Sequence, residues 1–380
     1  MTSTRISKTN STRRKIRYAV IGEGYISQVA VLPAFKNAAT NSELVALVSG
    51  DSEKLRKLSK KYNVPKTYSY DDFDQCLESG EIDAVYIALP NHLHRDYTVR
   101  SALAGVHVLC EKPMAVTEED CETMIQVAKE NNIKLMIAYR LHFEQINLEA
   151  IEIIKSGKIG KPRLFNSVFS QQVNDKNNIR LKGELGGGTV YDMGIYCINA
   201  ARYLFQEEPV EVTAFSANSG DPRFKEIDEM TSAIIRFPED KLAVFTSSFG
   251  QSDASMYQVY GTKGDIRLEP AYELAEGLKY RLTINGKTKE KKIPKRDQFA
   301  PELLYFSDCI LNDKDPEPSG REGLADVRII RAIYRSAEKG KPIKLEEFDV
   351  EQRPSIKQQI TKPAVKKTKL INTQSPSGND

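Results

Sequence analysis

The chain has 380 residues, 40% of them hydrophobic and 28% charged, enough for two domains and a substantial core in a soluble globular protein. Its formal net charge of +3 comes from the ends: residues 1–15 carry five basic and no acidic side chains, residues 351–380 carry six and two, and the stretch between holds 44 basic against 50 acidic residues. A mildly acidic middle argues against nucleic acid as the main partner, and no apolar stretch approaches the ~20 residues a membrane helix needs.

Residues 1–14 and 351–380, rich in Lys, Ser, Thr, Gln and Pro, are expected to be disordered, solvated tails. Arg13-Arg14-Lys15-Ile16 has the outline of a twin-arginine export signal, but the apolar run behind it, Tyr18 to Ile21, stops at a glycine loop. An export signal needs a longer apolar segment, so the run reads as a first strand and the protein as cytoplasmic. The loop is Gly22-Glu23-Gly24-Tyr25-Ile26-Ser27, between the strand-like Ile16 to Ile21 and the helix-like Gln28 to Asn37. Strand, glycine turn and helix N-terminus together offer backbone N–H groups and a favourable dipole to a pyrophosphate. The third small position holds Ser27, where glycine or alanine is usual.

Strand and helix signals then alternate: Glu43 to Ser49, a helix from Ser52 to Tyr62, the apolar Ile82 to Leu89, a helix from Asp96 to Ala104, His107 to Cys110, a helix capped at Thr117 and running to about Asn131, and Lys134 to Tyr139. This is the pattern of a doubly wound parallel sheet, an α/β Rossmann domain over residues 15–141. Beyond Pro162 the texture changes. Arg163 to Val173, Val210 to Ser216, Thr231 to Phe237, Leu242 to Phe249 and Ser255 to Leu268 alternate as long strands, interrupted by a helix from Thr189 to Phe205 and closed by helices at Pro301 to Leu311 and Gly323 to Ala337. An α+β domain with a large, mostly antiparallel sheet is expected over 142–350. The five cysteines are scattered and read as reduced, buried thiols.

Three places carry chemistry. Glu111-Lys112-Pro113 closes an apolar run and sets a lysine where a nicotinamide would lie. Asp192, Tyr196 and Asn199, spaced i, i+4 and i+7, share one face of the Thr189 helix behind Gly186-Gly187-Gly188. His92 and His94 have H-x-H spacing, but no carboxylate or cysteine cluster joins them, and no metal is expected.

Taken with Leu89-Pro90-Asn91-His92-Leu93-His94 and Asp326 to Tyr334, these motifs resemble the glucose–fructose oxidoreductase, inositol dehydrogenase and rhizopine-catabolism (Gfo/Idh/MocA) family from about Lys15 to Leu345. Glu184 to Gly188, Arg202-Tyr203-Leu204 and a tyrosine at 196 resemble the glucose–fructose oxidoreductase branch most. The resemblance implies Lys112 and Tyr196 as the catalytic pair around the reacting carbon of a sugar, with Asp192 orienting the substrate. It implies dinucleotide contacts from Gly22, Gly24, Tyr25 and Ile26 in the loop and from Ser49, Gly50 and Lys54 toward a 2′-phosphate. Tyr70 would flank the adenine, and Leu89, Pro90, Asn91 and His94 would lie along the cofactor, His94 under the nicotinamide. Glu111, Lys112, Arg140 and Arg180 complete the set. Arg140 reads equally well as a surface residue after a strand. Ile179 stands where the branch has tryptophan before that arginine.

The expected function is therefore an NADP-dependent sugar oxidoreductase that moves hydride between an aldose anomeric carbon and nicotinamide, with ketose reduction by retained cofactor as an extension. The alternatives are a plain aldose dehydrogenase that releases NADPH and a non-catalytic dinucleotide sensor, which has no need of both Lys112 and Tyr196. NAD is the alternative cofactor: a register shift of two would make Asp51 rather than Ser49 the residue facing the ribose. Branch members wrap the cofactor with a longer N-terminal arm than this chain's polar residues supply, so weaker retention is expected. Phe165, Val168, Phe169, Phe245 and Phe249 suggest apolar residues on both sheet faces, and a homodimer or homotetramer through that sheet.

Overall fold

A computed structural model describes residues 14–350 and 352–378. The expected N-terminal tail, apart from Arg14, lies outside the described residues. The first domain contains β1 (Ile16–Ile21), α1 (Leu32–Ala38), β2 (Ser42–Val48), α2 (Ser52–Tyr62), β3 (Lys66–Tyr68), α3 (Phe73–Glu78), β4 (Ala84–Ile87), α4 (His94–Leu103), β5 (His107–Glu111), α5 (Glu118–Glu130) and β6 (Leu135–Ala138). Its strands are all parallel, in the order β3-β2-β1-β4-β5-β6. The order reverses beside β1, so the loops after β1 and β4 part there and leave a crevice at the strand ends. β4 and β6 are buried along their whole length, which is why they read as unbroken apolar runs. Thr117 caps α5 by accepting the Asp120 N–H at 3.1 Å.

The second domain follows with α6 (Gln145–Lys155), β7 (Pro162–Gln172), α7 (Ile195–Phe205), β8 (Glu211–Ala217), β9 (Met230–Phe237), β10 (Lys241–Ser248), β11 (Gly250–Gly261), β12 (Gly264–Leu268), β13 (Lys279–Ile284), β14 (Lys287–Lys292), β15 (Arg296–Asp297), α8 (Ala300–Leu311), α9 (Gly320–Lys339), β16 (Ile343–Lys344) and β17 (Lys362–Pro363). Nine strands form one sheet, β14-β13-β12-β11-β7-β10-β9-β8-β16, antiparallel except where β7 and β10 pair in parallel. Expected Ser255 to Leu268 is not one strand but the hairpin β11–β12, turned between Gly261 and Gly264. Of the residues expected on both sheet faces, Phe165, Phe169, Phe245 and Phe249 lie on the buried, helix-covered face and Val168 on the other.

Two departures bear on function. α8 belongs to the second half of the chain yet packs on the first domain: Phe299, Ala300, Leu303 and Phe306 share a core with Tyr18, Val20 and Phe35, and Tyr18 Oη lies 2.8 Å from Ser307 Oγ. Residues 352–378, expected to be disordered, are instead laid along the fold. β17 pairs with β15, Arg353 donates to Glu208 at 2.7 Å, and Ile360 and Ile371 pack on the core beneath α1 and α8. Composition alone suggested a tail, but the segment finds backbone and apolar partners on the folded body that its own sequence cannot supply.

Candidate active site

The cleft begins at the glycine loop. Gly22 has φ +92°, and a Cβ there would lie 2.5 Å from the Ala88 carbonyl oxygen. Only bare backbone passes between the ends of β1 and β4, which leaves the following loop close enough to cradle a pyrophosphate. The chain then enters a π-helical turn over Ser27–Val31 before α1, and the Ser27 hydroxyl bonds back to the Gly22 carbonyl. A dinucleotide fits this cradle on its own geometry.

At the end of β2, Ser49 follows the last strand residue and its N–H bonds the Tyr68 carbonyl at 3.1 Å. Gly50 lies against the Tyr70 ring, where a Cβ would come within 3.2 Å of it. Asp51 caps α2: Oδ1 accepts the Lys54 N–H at 2.8 Å, while Oδ2 accepts Asn372 Nδ2 at 2.9 Å. Both carboxylate oxygens are therefore engaged, and Ser49 is the residue at the strand end.

The charged cluster sits at the other end of the cleft. Lys112, at the end of β5, donates to the Asp192 carbonyl at 2.8 Å and to Asp192 Oδ1 at 3.2 Å. Arg180 Nε donates to Asp192 Oδ2 at 2.6 Å. Arg180 is held in turn by the glycine triplet: the Gly188 N–H bonds its carbonyl at 3.0 Å, and a Cβ on Gly187 would meet that same carbonyl at 2.5 Å. Burial opposes the charge on Asp192, but Arg180 and Lys112 outweigh it and hold the carboxyl well below the usual aspartate range. Burial likewise opposes the charge on Lys112, but Tyr196, Asp192 and Glu111 raise its pKa above the ordinary lysine value. The shift favours the charged form of Lys112, which sets a positive charge at this end of the cleft.

Tyr196 closes the cluster. Arg140 Nε donates to its hydroxyl at 3.0 Å, the Lys112 Nζ lies 4.7 Å from its ring centre, and Phe169 packs edge-on at 5.3 Å. Arg140 is itself fixed by Gln298 and by the Tyr272 carbonyl. Glu111, whose pKa burial raises against the opposing pull of Lys112, accepts the Tyr86 hydroxyl at 2.8 Å.

Of the residues expected from sequence, Gly24, Tyr25, Ile26, Leu89, Asn91, Glu111, Lys112, Arg140, Arg180, Asp192 and Tyr196 line one continuous cleft. Gly22 supports it from below, whereas Ser49, Gly50, Lys54 and Tyr70, gathered around the end of β2, are not among the residues that line it. Pro90 and His94 do not line it. His94, expected beneath the nicotinamide, is fully buried, with its ring nitrogens 2.9 Å from the Leu89 and Pro113 carbonyl oxygens. It ties the loop after β4 to the turn after β5. Asn199 lines an adjoining cavity with Lys112 and Tyr196 but does not line the cleft with Asp192. The expected helix starts as a π turn at Val190–Gly194, which shifts the helical phase, and Asn199 Nδ2 donates instead to Asp326 at 3.1 Å. Tyr272, Gln298, Phe169 and the segment Ser375 to Ser377 were not expected at the site; they come from distant stretches that carry no local motif.

A phosphate cradle at one end of a cleft and a lysine, tyrosine and carboxylate at the other is the layout of a nicotinamide-dependent oxidoreductase. Residues 16–139 match the model of an oxidoreductase family with an NAD-binding Rossmann fold, and residues 147–267 match the GFO/IDH/MocA C-terminal domain. The chain belongs to the Gfo/Idh/MocA oxidoreductase family. It is 34% identical over 342 residues to the D-xylose 1-dehydrogenase [NADP(+)] of Haloarcula marismortui, covering 88% of this chain and 95% of that protein. To a D-xylose 1-dehydrogenase (NADP(+)) of Haloferax volcanii it is 28% identical, over 87% of this chain and 99% of that one. The crystal structure of the aldose–aldose oxidoreductase from Caulobacter crescentus with glycerol superposes with a TM-score of 0.82 at 39% identity, over 87% of this chain and all of that one.

Proposed function

We propose that this protein is an NADP-dependent sugar oxidoreductase acting at the anomeric carbon of an aldose, with Lys112, Tyr196 and Asp192 as its catalytic residues. The observation that carries the reading is the joint placement of Lys112 and Tyr196 in the cleft that begins at the Gly22 loop. A dinucleotide sensor would not need that pair. Relatives named as xylose 1-dehydrogenases and an aldose–aldose oxidoreductase support a sugar substrate.

When bound along Gly24 to Ile26, Leu89, Asn91 and Arg180, the dinucleotide supplies the hydride acceptor. Tyr196, acting as the phenolate, takes the proton from the hydroxyl on the carbon being oxidised and becomes the neutral phenol, its oxygen positioned by the Arg140 N–H. The Lys112 ammonium, beside that ring, stabilises the negative charge that develops on oxygen. Asp192, locked between Lys112 and Arg180, presents carboxylate oxygens to the neighbouring sugar hydroxyls. Ser49 at the end of β2, with Asp51 already engaged, supports NADP over NAD. The same reading puts the protein in the cytoplasm, self-associated as a dimer or tetramer through the outer face of the nine-stranded sheet.

The test is steady-state oxidation of xylose and glucose with NADP and with NAD. Lys112→Met and Tyr196→Phe should each lower turnover about a hundredfold or more while NADP binding persists. Near-normal sugar oxidation by both variants, or tighter binding of NAD than NADP, contradicts the assignment. The relative named aldose–aldose oxidoreductase favours a second mode, in which one sugar is oxidised to its lactone and another is reduced to a polyol by the same cofactor. Polyol formed without added NADP, with parallel double-reciprocal lines, identifies that mode.

A further inference from the structure

The C-terminal segment crosses the mouth of the same cleft, and its contacts are with the parts that would hold a dinucleotide. Gln28, fully buried just after the glycine loop, is the joint. Its Oε1 accepts the Ile371 N–H at 2.8 Å, and its Nε2 donates to the Ile371 carbonyl at 2.9 Å and to the Glu23 carbonyl at 3.0 Å. Its own carbonyl accepts the Thr368 hydroxyl at 2.9 Å. Asn372 reaches Asp51 at the ribose end. Further on, the segment docks on the other domain: the Asn174 N–H bonds the Pro376 carbonyl at 3.1 Å, and Asn174 Nδ2 bonds the Ser377 carbonyl at 2.7 Å. Between these two anchorages Ser375, Pro376 and Ser377 line the cleft together with Gly24 to Ile26, and with the segment in place a cavity of about 350 Å³ remains.

We propose that residues Lys369 to Ser377 form a wall of the dinucleotide site, under which the cofactor binds and which must lift for the cofactor to leave. This rests on the reading of the cleft as an NADP site. The segment is tied to one domain through Gln28 and Asp51 and to the other through Asn174, so opening requires one set of bonds to break. It does not plug the site, because the cleft stays open beside it. The wall supplies retention from the C-terminal side of the chain.

The test compares the full chain, a variant lacking residues 367–380, which keeps β17, and Asn372→Ala, which removes a single side chain if the deletion does not fold. NADPH release is followed by displacement with excess NADP in a stopped-flow fluorimeter. The deletion should speed release about tenfold or more and Asn372→Ala about threefold, as loss of bonds made only in the closed site acts on the dissociation rate. Trypsin supplies a second readout at Lys366, Lys367 and Lys369: saturating NADP should slow cleavage there in the full chain about fivefold. Release rates within twofold of the full chain in every variant that folds, or cleavage accelerated by NADP, overturn the proposal. If the full chain binds no dinucleotide at all, the reading of the site falls, and this inference with it.

Discussion

Glu23 sits inside the glycine loop with 1% of its surface exposed and neither carboxylate oxygen hydrogen-bonded. Burial pushes its pKa up to about 8, against a weaker downward pull from Lys54. A carboxyl with a folded pKa above its unfolded value holds its proton better when folded. Its stabilising contribution is complete below the unfolded pKa of 4.5 and is lost as pH rises through about 8. Each unit of that shift corresponds to about 1.4 kcal/mol. Glu23→Gln should therefore match the parent chain in melting temperature near pH 4.5 and exceed it increasingly as pH approaches 8. A constant offset across pH, measured by scanning calorimetry, would mean that the carboxyl ionises freely. At this scale the sequence was most legible where a residue type announces its chemistry. Lys112 and Tyr196 stand in local motifs, whereas Tyr272 and Gln298 reach the site from more than a hundred residues beyond Arg140, with no spacing to signal it.

Among the elements, α7 does two jobs. The π turn that leads into it carries Asp192 and its first turn carries Tyr196; further along, Arg202 is fully buried and anchors the helix. Arg202 meets Glu208 at 2.8 Å, Asp326 at 2.6 Å and Glu322 at 3.0 Å, and Arg353 joins Glu208 from the C-terminal segment. Removing that one cation strands several buried carboxylates. Arg202→Met should cost about 3–5 kcal/mol in urea unfolding, because an unpaired buried charge loses more than a paired one gains. A loss below 1 kcal/mol would mean the carboxylates are protonated and neutral in the native state. The amphipathic helices and central strands were legible because burial on one face writes their period into the sequence. α6 was not, since Ile146, Leu148, Ala150, Ile151, Ile153 and Ile154 are all buried and leave no clean stripe. β14 carries no apolar side chain, and β13, whose Tyr280, Leu282 and Ile284 alternate with polar residues, was passed over with it. Asn285-Gly286, both at positive φ, was the available hairpin signal.

At the scale of the whole molecule, the register of the nine-stranded sheet decides what its uncovered face presents. Ile234 pairs with Thr213 and Val244, Val244 with Asn166, and Thr246 with Val168, so these residues share the face opposite the buried phenylalanines. Leu164, Leu242 and Tyr260 fall on that face by the same pairing, as does Phe215 across from Ser232. Phe215 is 74% exposed, Ile234 48%, Tyr260 40% and Leu242 36%. A flat sheet that displays aliphatic and aromatic side chains across its central strands is an apolar patch of the kind soluble monomers avoid. A second copy of the same face covers it most simply, through a two-fold interface. The cleft opens on the opposite side, where Phe169 meets Tyr196, so pairing through the outer face leaves each site accessible. Light scattering at micromolar concentration should give the mass of a dimer or tetramer. Ile234→Glu, a charge placed in the middle of the patch and repeated by the symmetry, should shift that mass toward the monomer while turnover per site is kept. A monomeric mass for the parent chain would leave the patch to some other cover, and a dimeric mass for Ile234→Glu would move the interface off this sheet.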